Sequence, residues 1–215
     1  MKKTINLLNE SQRFEMLLSL KKKNPNPKSQ LVFNNPFELL CAVVLSAQAT
    51  DESVNRVTSE LFSLAPTPEK MVKLSAAGIA PIIKSIGLWK AKSSYLEKLS
   101  LKLVNDFGGA VPNNYDDLIS LPGVGSKTAK VVLNVAFGQP TIAVDTHIFR
   151  VCNRTGFCYG KNAHEVEENI VDKVDDSMRY IAHHLLLLHG RYVCKARNPN
   201  CENCVINGIC KRNGV

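Results

Sequence analysis

Three groups of residues in this chain are of types that could do chemistry. The first is Lys127, set in Leu121-Pro122-Gly123-Val124-Gly125-Ser126-Lys127-Thr128. Pro122 cannot extend a preceding helix, because it lacks an N–H and its ring clashes with the turn before it. Gly123 and Gly125 permit positive φ and close backbone approach. Beyond them the apolar spacing of Val131, Val132, Leu133, Val135 and Ala136 predicts a helix, with Ser126 as its N-cap. A glycine hairpin opening onto a helix N-terminus presents free N–H groups and a positive dipole end, which suits a phosphate. Dipole logic prefers an acid in a first turn. A lysine there marks Lys127 as a candidate nucleophile. A lysine amine is protonated at neutral pH, with a reference pKa of about 10.4. A partly desolvated site beside a positive helix end would free it to attack a sugar carbon and form a Schiff base.

The second is Asp145, in Val144-Asp145-Thr146-His147-Ile148-Phe149-Arg150, just ahead of another predicted helix. It reads as an N-cap. Capping would fix the carboxylate and keep it ionised, so Asp145 is also a candidate to stabilise a cationic sugar transition state or to take a proton.

The third is a set of cysteines. Of seven, Cys41, Cys152 and Cys158 are scattered, while Cys194, Cys201, Cys204 and Cys210 crowd together as C-x6-C-x2-C-x5-C. A cytoplasmic chain should not hold a disulfide framework, so the clustered four read as metal ligands. Structural zinc sites use paired C-x2-4-C knuckles, whereas a [4Fe–4S] cluster takes four thiolates at uneven spacing. One C-x2-C between lone Cys arms leans toward iron–sulfur and leaves zinc open. The loop inside the set carries Lys195 and Arg197, which could meet phosphates.

These residues need a scaffold. The chain has 215 residues, 45% hydrophobic and 21% charged, as in an ordinary globular protein. A net charge of +8 favours a polyanionic partner, nucleic acid first. The basic start has no unbroken apolar core and no small-residue cleavage site, and no apolar run reaches the length of a membrane span. A cytoplasmic location without a membrane partner is therefore expected.

Helical periodicity runs over 7–23 and breaks at Asn24-Pro25-Asn26-Pro27. Asn35-Pro36-Phe37-Glu38 starts a helix, apolar nearly all round, that reaches Ser46. Further helices are expected from Thr50 or Asp51, from Thr67-Pro68, and over 76–86, 89–107, 145–153, 163–174 and 178–189, with a short one leading from Asn113 into the hairpin. Only 141–144 could be extended. The expected fold class is all-α.

Taken together, the hairpin with Lys127, Val144-Asp145-Thr146-His147 with Arg150, Leu45-Ser46-Ala47-Gln48-Ala49-Thr50-Asp51 and the Cys spacing resemble the bacterial endonuclease III family, the helix–hairpin–helix DNA glycosylase/AP lyases of base-excision repair. The resemblance implies a six-helix domain over 28–139, with the helix–hairpin–helix at about 115–134. Residues 1–27 and 140–215 would form an iron–sulfur domain, with a [4Fe–4S] cluster on the loop 194–210. It implies a monomer that acts on double-stranded DNA carrying damaged bases or abasic sites, in the cytoplasm at the nucleoid. Lys127 would be the nucleophile and Asp145 its assistant. Gln48 and Leu88, with Ile86 nearby, would fill the gap left by a flipped base. Gly123, Val124 and Gly125 would grip a phosphate, and His147 and Arg150 are implied as further DNA contacts. Family members often carry more basic residues where Asn198 and Asn200 stand. The adenine glycosylase of the same class lacks a lysine at the position of Lys127 and carries an extra C-terminal domain. A non-catalytic helix–hairpin–helix DNA-binding module is the reading from another class.

Overall fold

The computed structural model describes residues 5–214. Among them lie ten α-helices and one short 3-10 helix, with no β-strand. The chain divides into two compact units, Ser29–Gln139 and Met1–Lys28 with Pro140–Val215.

The first unit is built on α2 (Pro36–Ser46), in which every residue from Phe37 to Leu45 is buried. Asn35 caps it, its side chain accepting the Glu38 N–H at 2.9 Å, and Pro36 takes a position where no N–H is missed. Glu38 is buried too, but its Oε2 accepts the Asn34 backbone N–H at 2.7 Å and its Nδ2 at 2.9 Å, so the carboxylate is satisfied. Burial of each of Leu39, Leu40 and Leu45 is worth about 1.5–3 kcal/mol. Against α2 pack α3 (Asp51–Leu64) and α7 (Ser126–Phe137). Alongside, α4 (Pro68–Ile82) lies on α5 (Trp89–Phe107), and α6 (Tyr115–Ile119) precedes the hairpin.

Within α4 the backbone breaks at Ser75, so the two helices expected there abut. The second stops at Ile82 instead of 86. Ile83 and Ile86 are buried, and the Ile86 N–H donates to the Ile83 carbonyl at 3.1 Å, turning the chain early.

The second unit holds α1 (Glu10–Lys23), α8 (Thr146–Thr155), α9 (Ala163–Ile170), the 3-10 helix Val171–Lys173 and α10 (Asp176–Tyr192). Its core includes Met16, Leu17, Ile148, Val151, Phe157 and Leu186. Helix α1 starts at Glu10, later than the periodicity suggests, because Asn9 and Gln12 form a reciprocal capping box. The helix expected over 163–174 tightens into 3-10 geometry after Ile170. Residues 141–144 form no strand, and the Val144 N–H donates to Glu167 Oε2 at 2.9 Å instead. No helix among the described residues is long and apolar enough to cross a membrane.

Candidate DNA-binding and catalytic site

Gly123 shapes the hairpin. Its φ is +81°, and a Cβ there would lie 2.8 Å from Cβ and Cγ of Tyr95. Both conformation and space therefore demand glycine. Val124 does not face outward: its side chain is buried, and its N–H donates to the Leu121 carbonyl at 3.1 Å. In the free protein its N–H is thus engaged in closing the hairpin turn.

Helix α7 begins one residue earlier than expected. Gly125, at φ −98° and ψ 177°, is the N-cap, and no side chain covers the end. Ser126 has already entered the helix, so its hydroxyl is not the cap. The N–H groups of Ser126, Lys127 and Thr128 thus lack intrahelical acceptors, and the first turn holds no acid. Lys127 is exposed there. The expected desolvation around its amine is not a property of the chain alone and has to come with the substrate.

Two further residues of this unit are strained. Gln48 has φ +55° and Leu88 φ +60°. Such conformations cost non-glycine residues about 1–3 kcal/mol and cluster at functional sites. Both are exposed, Leu88 to 56%. A Cβ on Gly87 would come 3.6 Å from the Gln48 carbonyl oxygen, so the two turns adjoin. Ile86 differs: only 3% exposed, it belongs to the core and anchors the turn.

In the other unit Asp145 caps α8. Its Oδ1 accepts the N–H of His147 at 2.9 Å and of Ile148 at 2.8 Å. Arg150, expected at the DNA, is spent inside the protein. Its Nε donates to the Cys194 carbonyl at 2.8 Å, Nη2 to the Gly190 carbonyl at 2.7 Å and Nη1 to the Thr146 carbonyl at 3.3 Å. Nη2 also meets His147 Nδ1 at 3.1 Å. Since a guanidinium can only donate, Nδ1 accepts and the ring proton sits on Nε2. Arg150 is therefore a brace, and His147 is the member of the pair with a donor to spare.

The four clustered cysteines line one cavity, together with Arg154, His189 and Arg212, around about 350 Å³ of space that is partly open to solvent. Among the described residues no three His, Cys, Asp or Glu side chains converge as a single metal ion requires. N–H donors approach two of the sulfurs, Arg154 Nη1 at 3.5 Å from Cys194 Sγ and the Arg212 amide at 3.4 Å from Cys210 Sγ, and His189 Nε2 lies 3.8 Å from Cys204 Sγ. Burial raises the Cys204 and Cys210 thiols above the ordinary value, so a cation in the cavity is what would hold them as thiolates. Four soft donors around one space, with N–H groups on two of the sulfurs, fit an iron–sulfur cluster. Cys41, Cys152 and Cys158 are buried away from this cavity, and burial pushes all three thiols up. Arg154 Nη1 also donates to the Lys195 carbonyl at 2.7 Å, ordering a loop on which Lys195 and Arg197 are exposed. Asn198 has φ +49°. Asparagine tolerates that conformation better than a lysine or arginine, which accounts for it in that place.

Sequence reasoning missed Gly190 and Glu167. A Cβ on Gly190 would lie 2.9 Å from the His147 carbonyl oxygen and Cβ. That glycine lets α10 close onto the first turn of α8, while Glu167 tethers the residue before Asp145. Gly190 stands just past the end expected for the helix over 178–189, where it reads as a helix stop, whereas the helix runs on to Tyr192. For Glu167 the sequence held no signal.

Comparison with known proteins sets these halves in context. A family model described as HhH-GPD superfamily base excision DNA repair protein matches residues 41–175. A second, the iron-sulfur binding domain of endonuclease III, matches residues 194–210. Endonuclease III of Escherichia coli (strain K12) is 50% identical over 204 residues, 95% of this chain and 97% of that protein. That of Haemophilus influenzae is 49% identical over the same shares. Among solved structures, a trapped endonuclease III–DNA covalent intermediate superposes with a TM-score of 0.89 at 42% identity, covering 96% of this chain and 97% of the other. The chain is thus an all-α base-excision DNA-repair enzyme of the helix–hairpin–helix class. It belongs to the endonuclease III family, whose bifunctional DNA glycosylase and abasic-site lyase activity it shares.

Proposed function

We propose that the enzyme removes oxidised pyrimidines from double-stranded DNA, with Lys127 as nucleophile and Asp145 as its assistant. The observation that carries this reading is the exposed lysine in the uncapped first turn of α7, beside a hairpin whose glycine cannot be replaced. The open N–H groups of that turn take a backbone phosphate and fix the register without reading sequence. The damaged base, poorly stacked, is extruded at reduced cost. Gln48 and Leu88 enter the space it leaves. Packed against the hairpin and the nucleotide, the Lys127 amine loses water and its proton. It attacks C1′, the C1′–N bond breaks, and the base departs with a proton; the C1′–O4′ bond then opens, O4′ taking up a proton as the lysine nitrogen forms a C=N bond to C1′. The resulting Schiff base acidifies the C2′ hydrogen, and loss of that proton expels the 3′ phosphate. Asp145, held by two N–H groups, stabilises positive charge on the sugar and supports the proton transfers.

His147 Nε2–H, Lys195 and Arg197 add phosphate contacts. Cys194, Cys201, Cys204 and Cys210 hold a [4Fe–4S] cluster, in the iron–sulfur domain formed by residues 1–27 and 140–215. When bound, such a cluster cross-links the loop that displays Lys195 and Arg197. The enzyme works as a monomer in the cytoplasm, at the nucleoid.

Borohydride trapping on a duplex with one oxidised thymine or one abasic site tests this reading. A covalent adduct is expected with the native chain and not with Lys127→Ala. Binding with no adduct from the native chain would leave a monofunctional glycosylase or a plain DNA-binding module.

A further inference from the structure

Lys92 lies in the first unit with its side chain buried, only 2% exposed, and its Nζ has no hydrogen-bond partner. A buried ammonium without a partner is among the costliest groups a fold can hold. Burial also pulls its proton affinity below the ordinary lysine value.

Its position in α5 is informative. Leu88 is the N-cap, and the Lys92 N–H closes the first turn onto the Leu88 carbonyl at 3.0 Å. A long side chain on a helix runs back over the turn N-terminal to its own Cα. That direction takes the Lys92 side chain toward the first turn, whose N–H groups on Trp89, Lys90 and Ala91 have no side-chain cap and no acid among the turn's own residues. Lys90, exposed in the same turn, adds a second cation, its Nζ 5.4 Å from the Trp89 ring centroid. The dipole end and both lysines have the same sign, and the turn itself carries no acidic residue to balance them. An anion would.

We propose that the N-terminal turn of α5 is a second phosphate-binding site for the DNA backbone, with Lys92 as its buried cation. The phosphate is one that flanks the gap entered by Gln48 and Leu88, because Leu88 is itself the cap of this turn. Lys92 need not touch it: a charge in the protein interior is weakly screened, and its field at the open N–H groups persists. Part of the electrostatic cost of that ammonium in the free protein is offset when the anion arrives. The proposal rests on the reading of Gln48 and Leu88 as gap-filling residues.

Lys92→Met keeps the buried stem and removes the charge. Affinity is read on a duplex with a non-cleavable tetrahydrofuran abasic analogue. Lys92→Met is expected to melt at a higher temperature than the native protein, yet to bind several-fold more weakly, with a salt slope smaller by about one. A lysine serving only to pack would gain the same stability on losing its charge but leave both affinity and salt slope unchanged. Should Lys92→Met be unstable, Lys92→Gln serves in the same assay. Single neutral methylphosphonates then locate the site. One substitution near the gap should weaken the native protein and leave Lys92→Met unaffected. Equal affinity and slope in the two proteins, or the same methylphosphonate profile in both, would overturn the α5 site. The hairpin phosphate would still register in both profiles, whereas absence of a borohydride-trapped adduct from the native protein would be the failure of the broader reading.

Discussion

Helix α7 starts at Gly125 with no side chain over its first-turn N–H groups, whereas α8 starts at Asp145, whose Oδ1 takes two of them. The first leaves its lysine exposed and its dipole end open. The second fixes its carboxylate in place. Side-chain caps are the rule elsewhere among the described residues: Asn9, Asn35, Thr50, Thr67, Asn114, Asn162 and Asp175 each cap an α-helix. Only α5 and α7 depart from it, and each carries a lysine in its first turn. A cap contributes about 1 kcal/mol. Two ends that forgo it are ends where an anion from outside can serve as the cap, and the capped Asp145 shows the alternative use of the same groups.

The comparison is tested most severely at Asp145. Asparagine caps as well as aspartate, so Asp145→Asn should melt close to the native protein while glycosylase turnover falls by roughly 10²–10⁴, the usual worth of a positioned acid–base group. Single-turnover base release beside a thermal melt separates the two roles. If activity survives in Asp145→Asn and drops only in a variant that cannot cap, the carboxylate is structural. A smaller effect is expected from capping α7. Gly125 has extended backbone, and a Cβ there meets nothing within 4 Å, so Gly125→Asp fits. It should stabilise the fold by about 0.5 kcal/mol. It should also weaken binding to an abasic-analogue duplex on the order of tenfold or more, by placing a carboxylate where the phosphate sits. Gly125→Ser, a neutral cap, should lie between. Undiminished affinity in Gly125→Asp would mean that the open end of α7 is not where DNA binds.

The pattern of caps also shows what a sequence discloses. Asn35-Pro36-Phe37-Glu38 and the apolar run behind it announce α2, because cap chemistry and periodicity are both local. The all-α class follows from many such signals. Lys127 and Asp145 stood out because each sits at a helix start, one against the dipole and one with it. What stayed hidden is non-local. That Arg150 would be consumed by the carbonyls of Gly190 and Cys194 depends on residues 40 and 44 positions away. The burial of Ile86 and the engagement of the Val124 N–H with Leu121 are likewise facts of packing and turn closure, which residue types do not state. The shift of the α7 cap from Ser126 to Gly125 is a single residue, yet it decides whether the end is open.

The smallest effect sets the baseline for the others. Asn162 caps α9, accepting the Glu165 N–H at 2.9 Å on an exposed surface. Its removal in Asn162→Ala should cost about 1 kcal/mol, a fall of about 2–4 °C in melting temperature for a chain of this size. DNA affinity and its salt slope should not move, since α9 carries no group assigned to DNA. Asn162→Asp should restore the melt and still leave binding alone, although it adds the same charge at the same kind of position as Gly125→Asp. The pair is thus matched in chemistry and differs only in which helix end receives the carboxylate. If Asn162→Asp weakened binding as much as Gly125→Asp, the loss at α7 would reflect the change in net charge of a basic protein, and the distinction between open and capped ends would have no bearing on DNA.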